Sequence, residues 1–326
     1  MHVLIVNNTT IPALKYGGTE RVIWWLGKEL VKRGHKVTYL VAKGSTCPFA
    51  NVLELNTEKP FNELMPNDVD VIHLNCGVNE TPKKPYIITL HGNSNHQQAL
   101  DKNTVFVSAN HAARFGSNIF VHNGIDPNDY GKPMLNNQRH YIHFLGDAAW
   151  RVKNVRGAIK IAEKVKLPLH VIGGIRFNFN QGLRLTFSPN ITFHGMKGGA
   201  EKNQIINQSK AMLFPVLWHE PFGIAIIESL YFGCPVFGTP YGSLPEIISK
   251  EVGFLSSKSE ELITALQNVD TYNRHICHDY VMAHFTSLQM TNKYLQFYEQ
   301  VLNGNSLNTV NPQLVTVQTE KFLPFE

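Results

Sequence analysis

The chain has 326 residues, of which 43% are hydrophobic and 17% charged, and its formal net charge is +5. This length suits two domains of about 150 residues each, and the apolar content excludes a disordered chain. The basic excess is mild and contains no run of five basic residues, so it does not indicate a nucleic-acid-binding protein. It fits an anionic ligand, or loose contact with an acidic membrane surface.

Cysteine usage and the N-terminal segment indicate the compartment. The four cysteines form no CxxC pair and no zinc-binding spacing, which is typical of reduced thiols in a cytosolic protein. The apolar run Val3–Val6 is too short for a signal peptide, and no basic region precedes it. No stretch approaches the roughly 18 apolar residues of a membrane span. We therefore expect a cytoplasmic protein, with peripheral contact at the inner face of the membrane as an open alternative.

The first part of the chain predicts a Rossmann-like domain over residues 1–132. Val3–Val6 is typical of a buried parallel strand, and the turn at Gly17 and Gly18 leads into an amphipathic helix over Thr19–Arg33. A strand over Val37–Val41 completes a right-handed βαβ unit. The further predicted elements are strands at 69–73, 86–90, 104–107 and 119–121 and a short helix at 109–114 that Ser108 would cap.

The strand–helix pattern restarts in the second part of the chain. Residues 133–139 are polar and contain Pro and Asn, which predicts a linker, and a second domain follows over 140–285. Its predicted elements are strands at 141–145, 169–172, 191–193, 211–214, 235–237 and 253–255 and helices at 155–165, 203–209, 223–232, 245–249 and 259–269. A last helix at 286–302 and a polar, irregular tail at 303–326 complete the chain.

The segment from Glu220 to Glu228 carries the strongest chemical signal. Glu220 lies in the loop after a predicted buried strand. The N–H groups of Phe222, Gly223 and Ile224 would then open a helix, and a helix N-terminus is a site for an anion such as a pyrophosphate. Gly223 would also let a ligand approach the backbone closely.

Glu228 lies in a helix that is apolar on nearly all sides, so we expect its carboxylate to be buried. A buried carboxylate needs hydrogen-bond donors, or its pKa rises until it is neutral. The two vicinal hydroxyls of a ribose would supply such donors. The alternative is that Glu228 faces solvent and Glu220 is an ordinary loop carboxylate.

The Glu220–Glu228 segment resembles the Glu-x7-Glu motif of the retaining GT-B glycosyltransferases of family four, the glycosyl transferases group one. Four further segments are similar to that family's motifs, in the same order over about residues 1–300: 17–22, 123–126, 239–248 and 253–255. The resemblance implies the GT-B fold, with two Rossmann-like domains facing across a cleft. The N-terminal domain would bind the acceptor and the C-terminal domain the nucleotide sugar, and the helix 286–302 would cross back to the N-terminal domain.

The resemblance also implies roles for the matching residues. Glu220 would contact the hydroxyls of the transferred sugar and Glu228 the ribose. Phe222, Gly223 and Ile224 would offer backbone N–H groups to the phosphates or the sugar.

His91 follows a predicted strand of the N-terminal domain and resembles the family's active-site histidine. In that role it would contact a sugar hydroxyl or the leaving phosphate. The alternative is a histidine satisfied by a backbone carbonyl.

The cationic part of the site departs from the family. Lys153 fits the lysine that the family places in the loop after the first strand of the C-terminal domain, but Asp147 stands where the family has an arginine. Asp147 would repel a diphosphate, so we expect it to point away or to pair with Arg151. Arg151 is the candidate substitute for the missing cation, and a surface charge is the alternative. Two cations and a helix N-terminus would stabilise the departing diphosphate, so we expect neither a metal nor another cofactor.

Glycines in other loops complete the candidate site. Gly17 and Gly18 would bring backbone amides to a phosphate or to the acceptor, or would form an ordinary strand-to-helix turn. They are not part of a GxGxxG fingerprint, which counts against NAD. Gly173 and Met196 follow predicted strands and match loops that contact the nucleotide in the family.

The implied activity is transfer of a hexosyl group from a nucleoside diphosphate sugar to a hydroxyl of a glycan, a lipid-linked acceptor or a small molecule. In the family's mechanism the acceptor attacks from the front face, the leaving phosphate takes its proton, and the anomeric configuration is retained. The alternatives are a non-catalytic nucleotide-sugar-binding protein, which Asp147 favours, and a GT-B sugar epimerase. The helix 19–33 also allows a membrane-surface interpretation because Trp24 and Trp25 precede its basic end, although tryptophans in the core are favoured.

Overall fold

The computed structural model describes residues 1–13, 17–179 and 182–326, which form two compact units. Unit 1 consists of Met1–Asp126 and Thr286–Gln318, and unit 2 consists of Pro127–Phe285 and Thr319–Glu326. The chain therefore passes between the units at residues 126 and 127, at 285 and 286, and at 318 and 319.

The segment 133–139, expected as a linker, belongs to unit 2 and is held there by polar contacts. Arg139 is buried, and its guanidinium donates to the carbonyl oxygens of Ser209 and Phe232, both at 2.8 Å. The N–H of Met134 donates to the side chain of Asn207 at 2.7 Å. A polar composition predicted a linker, but these side chains make the segment an ordered part of the unit.

Strands and helices alternate through most of both units. The strands are β1 (His2–Val6), β2 (Lys36–Val41), β3 (Asn51–Glu54), β4 (Val71–Leu74), β5 (Tyr86–Leu90), β6 (Thr104–Phe106), β7 (Tyr141–Leu145), β8 (Leu169–Ile172), β9 (Phe177–Asn178), β10 (Arg184–Leu185), β11 (Ile191–Phe193), β12 (Ser209–Phe214), β13 (Val236–Gly238) and β14 (Gly253–Leu255). The helices are α1 (Gly18–Lys32), α2 (Ala109–Arg114), α3 (Val155–Val165), α4 (Gly199–Asn207), α5 (Ile224–Tyr231), α6 (Leu244–Ile247), α7 (Ser259–Gln267), α8 (Arg274–His284) and α9 (Ser287–Leu302).

Unit 1 is built on a six-stranded parallel sheet with the order β3-β2-β1-β4-β5-β6. All residues of β1 are buried, as expected for a central strand covered on both faces. Helices α1 and α9 pack against each other, and α9 also contacts β5. The strand order is that of a Rossmann sheet, and it reverses direction between β1 and β4.

Unit 2 repeats the same arrangement with the order β11-β8-β7-β12-β13-β14, again with parallel pairs throughout. Helices α3 and α7 cover a core that includes Phe144, Ile161 and Leu262. Its strand order reverses between β7 and β12. The prediction of two Rossmann-like α/β domains is confirmed.

Several elements differ from the sequence-based prediction. Residues 119–121 form only an isolated bridge, between Phe106 and Phe120, and not a strand. The strands β3, β9 and β10 and the helix α8 were not predicted. The three strands are short and each has exposed residues, and the helix is rich in polar residues.

The segment 303–326 is irregular but packed, and is not a free tail. Leu307 and Leu314 are buried. The side-chain amide of Asn308 donates to the carbonyl oxygens of Lys102 and Thr104, at 2.8 and 2.9 Å. These side chains make the segment part of the folded chain despite its polar sequence.

Trp24 and Trp25 pack within unit 1. Trp25 is buried, and Trp24 is half-buried with its ring edge-on to Phe49 at 4.8 Å between centroids. The structure therefore supports the interpretation of core tryptophans over a membrane-binding face on α1. Among the described residues, no helix combines the length and the apolarity that a membrane crossing needs.

Two buried histidines occupy central strands, one in each unit. His73 on β4 lies 2.8 Å from the Tyr298 hydroxyl and 2.7 Å from the Thr89 hydroxyl. His143 on β7 contacts the hydroxyls of Ser209 and Ser229, at 2.8 and 2.9 Å. Burial lowers the pKa of each histidine to about 3.

These histidines make the stability of the fold depend on pH. Because an unfolded histidine has a pKa of about 6.5, the unfolded chain binds more protons than the folded chain below that pH, and stability is lost as the pH falls. Each of His73 and His143 should lower the free energy of unfolding by about 2 kcal/mol between about pH 7 and about pH 5. Denaturant unfolding across this range measures the slope. His143→Gln should make this dependence of the unfolding free energy on pH less steep, whereas His96→Gln, at an exposed histidine, should leave it unchanged. Equal slopes for the two variants would show that His143 does not cause the loss of stability.

Candidate functional site

The loops that follow β7 and β12 meet at the carboxyl end of the unit 2 sheet, where the strand order reverses. In open α/β sheets this is the place where ligands bind. The first loop carries Lys153, in a 3-10 turn over Arg151–Lys153, and the second carries Glu220. The Nζ atom of Lys153 lies 2.6 Å from Oε2 of Glu220, although the residues are 67 positions apart. Both residues are buried, with 8% and 6% of their surface exposed, so the sequence-predicted lysine and glutamate form a buried ion pair.

Aromatic rings surround the Lys153–Glu220 pair. The indole N–H of Trp218 donates to the same Oε2 of Glu220 at 2.8 Å. The ammonium group of Lys153 lies 5.0 Å from the Trp218 ring centroid and 5.2 Å from that of Phe214. The faces of aromatic rings attract a cation electrostatically. Exclusion of water strengthens the interaction between the charges of Lys153 and Glu220.

A tight turn after β13 fixes the backbone of Glu220. Gly242 has a φ of +65°, and a Cβ atom there would lie 2.3 Å from the backbone N and O of Glu220. The N–H of Ser243 donates to the carbonyl oxygen of Glu220 at 2.9 Å. Only glycine lets the two backbone segments come this close. The turn at 239–248 therefore holds the loop that carries Glu220 in place.

Helix α5 begins just after Glu220. Gly223 precedes its first turn with a φ of +81°, and the helix starts at Ile224. Phe222 is buried, and its carbonyl oxygen accepts a hydrogen bond from the Ser243 hydroxyl at 2.8 Å. The first N–H groups of a helix have no partners within the helix and carry a partial positive charge. This end of α5 therefore lies beside Glu220 as the sequence predicts.

Glu228 is buried within unit 2, with 1% of its surface exposed, so the alternative that it faces solvent is wrong. The Tyr130 hydroxyl donates to its Oε1 atom at 2.6 Å, and the ammonium group of Lys202 on α4 binds the same oxygen. The sequence analysis missed Tyr130 and Lys202. The sequence indicates only that a buried carboxylate needs a hydrogen-bond donor. The residue pattern of α4 does not identify Lys202 as that donor.

The loops after β7, β8 and β11 lie side by side at the same edge of the sheet. The N–H of Gly173 donates to the carbonyl of Gly195 at 2.8 Å, and the N–H of Ala148 donates to the carbonyl of Gly173 at 2.7 Å. Gly173 has a φ of +113°, and a Cβ atom there would lie 2.2 Å from the carbonyl oxygen of Gly146. Met196 is exposed in the same group of loops. Gly173 and Met196 thus lie at the ligand-binding edge of the sheet.

Asp147 and Arg151 do not pair with each other within the described residues, so of the two alternatives for Asp147 the pairing is wrong. The Asp147 carboxylate instead accepts the N–H of Ala149 at 2.9 Å, because a short acid readily bonds the backbone two residues on in a turn. The Arg151 guanidinium lies 4.9 Å from the ring centroid of Phe322, and no ion pair joins it to Glu220 within the described residues. Lys153 is the cation that the structure places at Glu220.

The candidate residues of unit 1 lie in two loops at the carboxyl ends of its strands. Gly17 precedes α1 with a φ of +153°, and a Cβ atom there would approach the Glu20 carboxylate to 2.6 Å. Gly18 is the first residue of α1. His91 follows β5, and its Nε2 atom lies 2.8 Å from the side-chain oxygen of Asn75, which follows β4. The partner of His91 is therefore a side-chain amide and not a backbone carbonyl.

Burial lowers the pKa of His91 to about 4, so its imidazole is neutral at physiological pH. Because Nε2–H donates to the Asn75 oxygen, Nδ1 carries a lone pair. His91 and Asn75 line a cavity of about 640 Å³ in unit 1, whose other polar lining residues include Asn79, Glu80 and Asp101. This cavity is large enough for a sugar.

The model of the family described as glycosyl transferases group 1 matches residues 127–271. Residues 127–271 are therefore similar to a group 1 glycosyltransferase domain. The matched range contains both buried pairs, Lys153–Glu220 and Lys202–Glu228.

Solved structures similar to the chain are glycosyltransferases of the GT-B fold. AviGT4, a glycosyltransferase involved in avilamycin A biosynthesis, aligns with a TM-score of 0.76 and 19% identity over 94% of this chain and 99% of that one. Sucrose-phosphate synthase from Thermosynechococcus elongatus aligns with a TM-score of 0.74 and 16% identity over 93% and 100%. HepE from Anabaena, in complex with UDP and glucose, aligns with a TM-score of 0.63 and 14% identity over 91% and 99%. These likenesses confirm the GT-B fold.

A sequence relative is an uncharacterized 41.2 kDa protein in the cps region of Klebsiella pneumoniae. It is 24% identical over 148 residues, which are 43% of this chain and 40% of the relative. The match therefore spans less than half the length of that protein.

Proposed function

We propose that the chain is a retaining glycosyltransferase that moves a hexosyl group from a nucleoside diphosphate sugar to an acceptor hydroxyl. The observation that carries this proposal is the buried Lys153–Glu220 pair beside the N-terminus of α5, inside the range that matches the group 1 glycosyltransferase family. HepE, which shares the fold, is a protein solved in complex with UDP and glucose.

Lys153 and Glu220 suit different parts of a nucleoside diphosphate sugar, the diphosphate and the transferred sugar. The ammonium group of Lys153 and the first N–H groups of α5 are donors that would bind the diphosphate. The Glu220 carboxylate is an acceptor that would bind the hydroxyls of the transferred sugar. As the bond to the sugar breaks, negative charge grows on the phosphate, and preorganised donors in a water-poor site stabilise it. The same groups would make a metal ion unnecessary.

Glu228 would bind the ribose of the donor. Lys202 and Tyr130 both donate hydrogen bonds to its Oε1 atom in the protein interior. A carboxylate that remains ionised is a stronger acceptor for two hydroxyls than a neutral carboxyl group.

We propose that the acceptor binds in the unit 1 cavity that His91 lines. Neutral His91 offers an acceptor atom at Nδ1, which would orient an incoming hydroxyl, while the leaving phosphate takes the proton. The relative in a cps region and the biosynthetic role of AviGT4 support a place in polysaccharide or glycoconjugate synthesis.

A thermal-shift screen of nucleoside diphosphate sugars tests the donor class. A true donor at about 100 times its dissociation constant should stabilise the protein by about 2.7 kcal/mol. The matching nucleoside monophosphate, which lacks the second phosphate and the sugar, is the control and should stabilise it less. If no nucleoside diphosphate sugar stabilises the protein, the proposal fails.

The donor found in this way allows a test of the reaction. Single-turnover incubation with an acceptor should release nucleoside diphosphate in the presence of EDTA, and NMR should show a product with the donor's anomeric configuration. An inverted product would contradict the retaining mechanism. Binding without release would indicate a nucleotide-sugar-binding protein, and a C2 epimer would indicate an epimerase.

A further inference from the structure

The hairpin of β9 and β10 carries apolar side chains on its exposed face. In residues 175–179 and 182–187 the exposed large side chains alternate with polar ones, and we call this set the outer hairpin face: Ile175, Phe177, Phe179, Leu183, Leu185 and Phe187. The residues between them include Asn178, Arg184 and Thr186, which are buried. A sheet at a protein surface normally places its apolar side chains inward and its polar ones outward, so this hairpin is inverted.

The side chains of the outer hairpin face lie close together. Phe177 and Leu185 are direct partners across the two strands, and the rings of Phe177 and Phe187 lie 5.7 Å apart. Phe179 and Phe187 have 74% and 76% of their surface exposed. A contiguous apolar patch of this kind marks an interaction surface.

Two arginines without carboxylate partners in the described chain lie beside the hairpin, Arg184 buried beneath it and Arg156 exposed. Arg184 donates to the carbonyl oxygen of Ile175 at 2.7 Å, and Arg156 donates to the carbonyl oxygen of Leu183. Within the described residues, neither arginine has a carboxylate partner, and the sequence from 174 to 190 contains no acid. A cavity of about 150 Å³ beside the hairpin is lined by Arg151, Arg156 and Arg184, and none of its described lining residues is acidic.

We propose that the outer hairpin face docks on a lipid bilayer that contains anionic headgroups. The phenylalanines would enter the boundary between headgroups and acyl chains, and the exposed Arg156 would lie at the level of the lipid phosphates. Apolar insertion combined with basic residues is the physical basis of peripheral membrane binding. A symmetric contact with a second copy of the chain would instead bring the exposed Arg156 of the two copies towards one another, which repulsion disfavours.

Vesicle co-sedimentation of the purified full chain tests this proposal. The protein should bind vesicles of phosphatidylcholine and phosphatidylglycerol more tightly than vesicles of phosphatidylcholine alone, and salt should weaken the binding. Phe179→Ser combined with Phe187→Ser should weaken binding by about tenfold or more, because it removes two large apolar side chains from the inserted face. Both side chains are exposed, so the folded chain should keep its circular dichroism spectrum and melting temperature.

Val310→Ser combined with Val315→Ser is the matched control, because these apolar side chains are 66% and 65% exposed outside the hairpin. The control variant should bind vesicles as the unchanged protein does. The proposal is overturned if the unchanged protein does not bind anionic vesicles, or if the two phenylalanine substitutions leave binding intact. It is also overturned if sedimentation equilibrium shows a dimer that only those two substitutions dissociate. None of these measurements uses transferase activity, so their failure is distinct from failure of the proposed function.

Discussion

Lys153→Ala should lower kcat by about a hundredfold to a thousandfold, which is the usual cost of removing one preorganised donor from a developing oxyanion. The ammonium group of Lys153 is buried, held at Glu220 and surrounded by aromatic rings, so water cannot replace it cheaply. Steady-state kinetics with the donor from the thermal-shift screen measure the loss. Lys164→Ala on α3 removes a lysine from an exposed pair with Glu260 and should leave kcat unchanged.

Glu220→Gln should cause a loss of similar size, and the effects of the two substitutions should not add. If Lys153 and Glu220 bind one donor as a unit, the double variant should be no slower than the slower single variant, because residues that act together are strongly non-additive. Fully additive losses would show that the two residues act separately. A kcat within about threefold of the unchanged protein in Lys153→Ala would contradict the proposed role of Lys153, since that change corresponds to well under 1 kcal/mol.

The sequence allowed good prediction of the features that local pattern determines. Apolar runs such as Val3–Val6 and Tyr141–Leu145 fall in strands, because buried parallel strands need continuous apolar sequence. The glycine and the apolar run that follow Glu220 predicted that this residue lies beside a helix N-terminus. The burial of Glu228 also followed from an apolar helix around it.

The remaining features depend on contacts between distant parts of the chain. Lys202 and Tyr130 reach Glu228 from positions 26 and 98 residues away, and periodicity carries no information about such partners. Asp147 was expected to point away from the diphosphate or to pair with Arg151, and its carboxylate accepts the N–H of Ala149 in a local turn. The strands β9 and β10 were missed because their apolar side chains face outward, whereas a strand is usually identified by apolar residues that pack into a core.

Lys202→Met should destabilise the fold by about 3–5 kcal/mol, because it leaves the charge of Glu228 buried without its cation. Glu228 is 1% exposed and the Lys202 side chain 5% exposed, so water cannot compensate for the loss. Denaturant unfolding measures the change. The matched control is Lys210→Met, which breaks a more exposed pair with Asp270 and should cost less than about 1 kcal/mol.

Adding Glu228→Gln to Lys202→Met separates the structural role of this pair from its role in binding. The neutral amide removes the buried charge and its oxygen can still accept from Tyr130, so the double variant should recover most of the lost stability. If Glu228 binds the ribose, the recovered protein should still bind the nucleoside diphosphate sugar about tenfold more weakly, because a bond to a charged acceptor becomes a bond to a neutral one. A purely structural pair predicts that affinity returns together with stability. Isothermal titration of the double variant therefore decides whether the second glutamate of the motif binds the donor or only stabilises the domain.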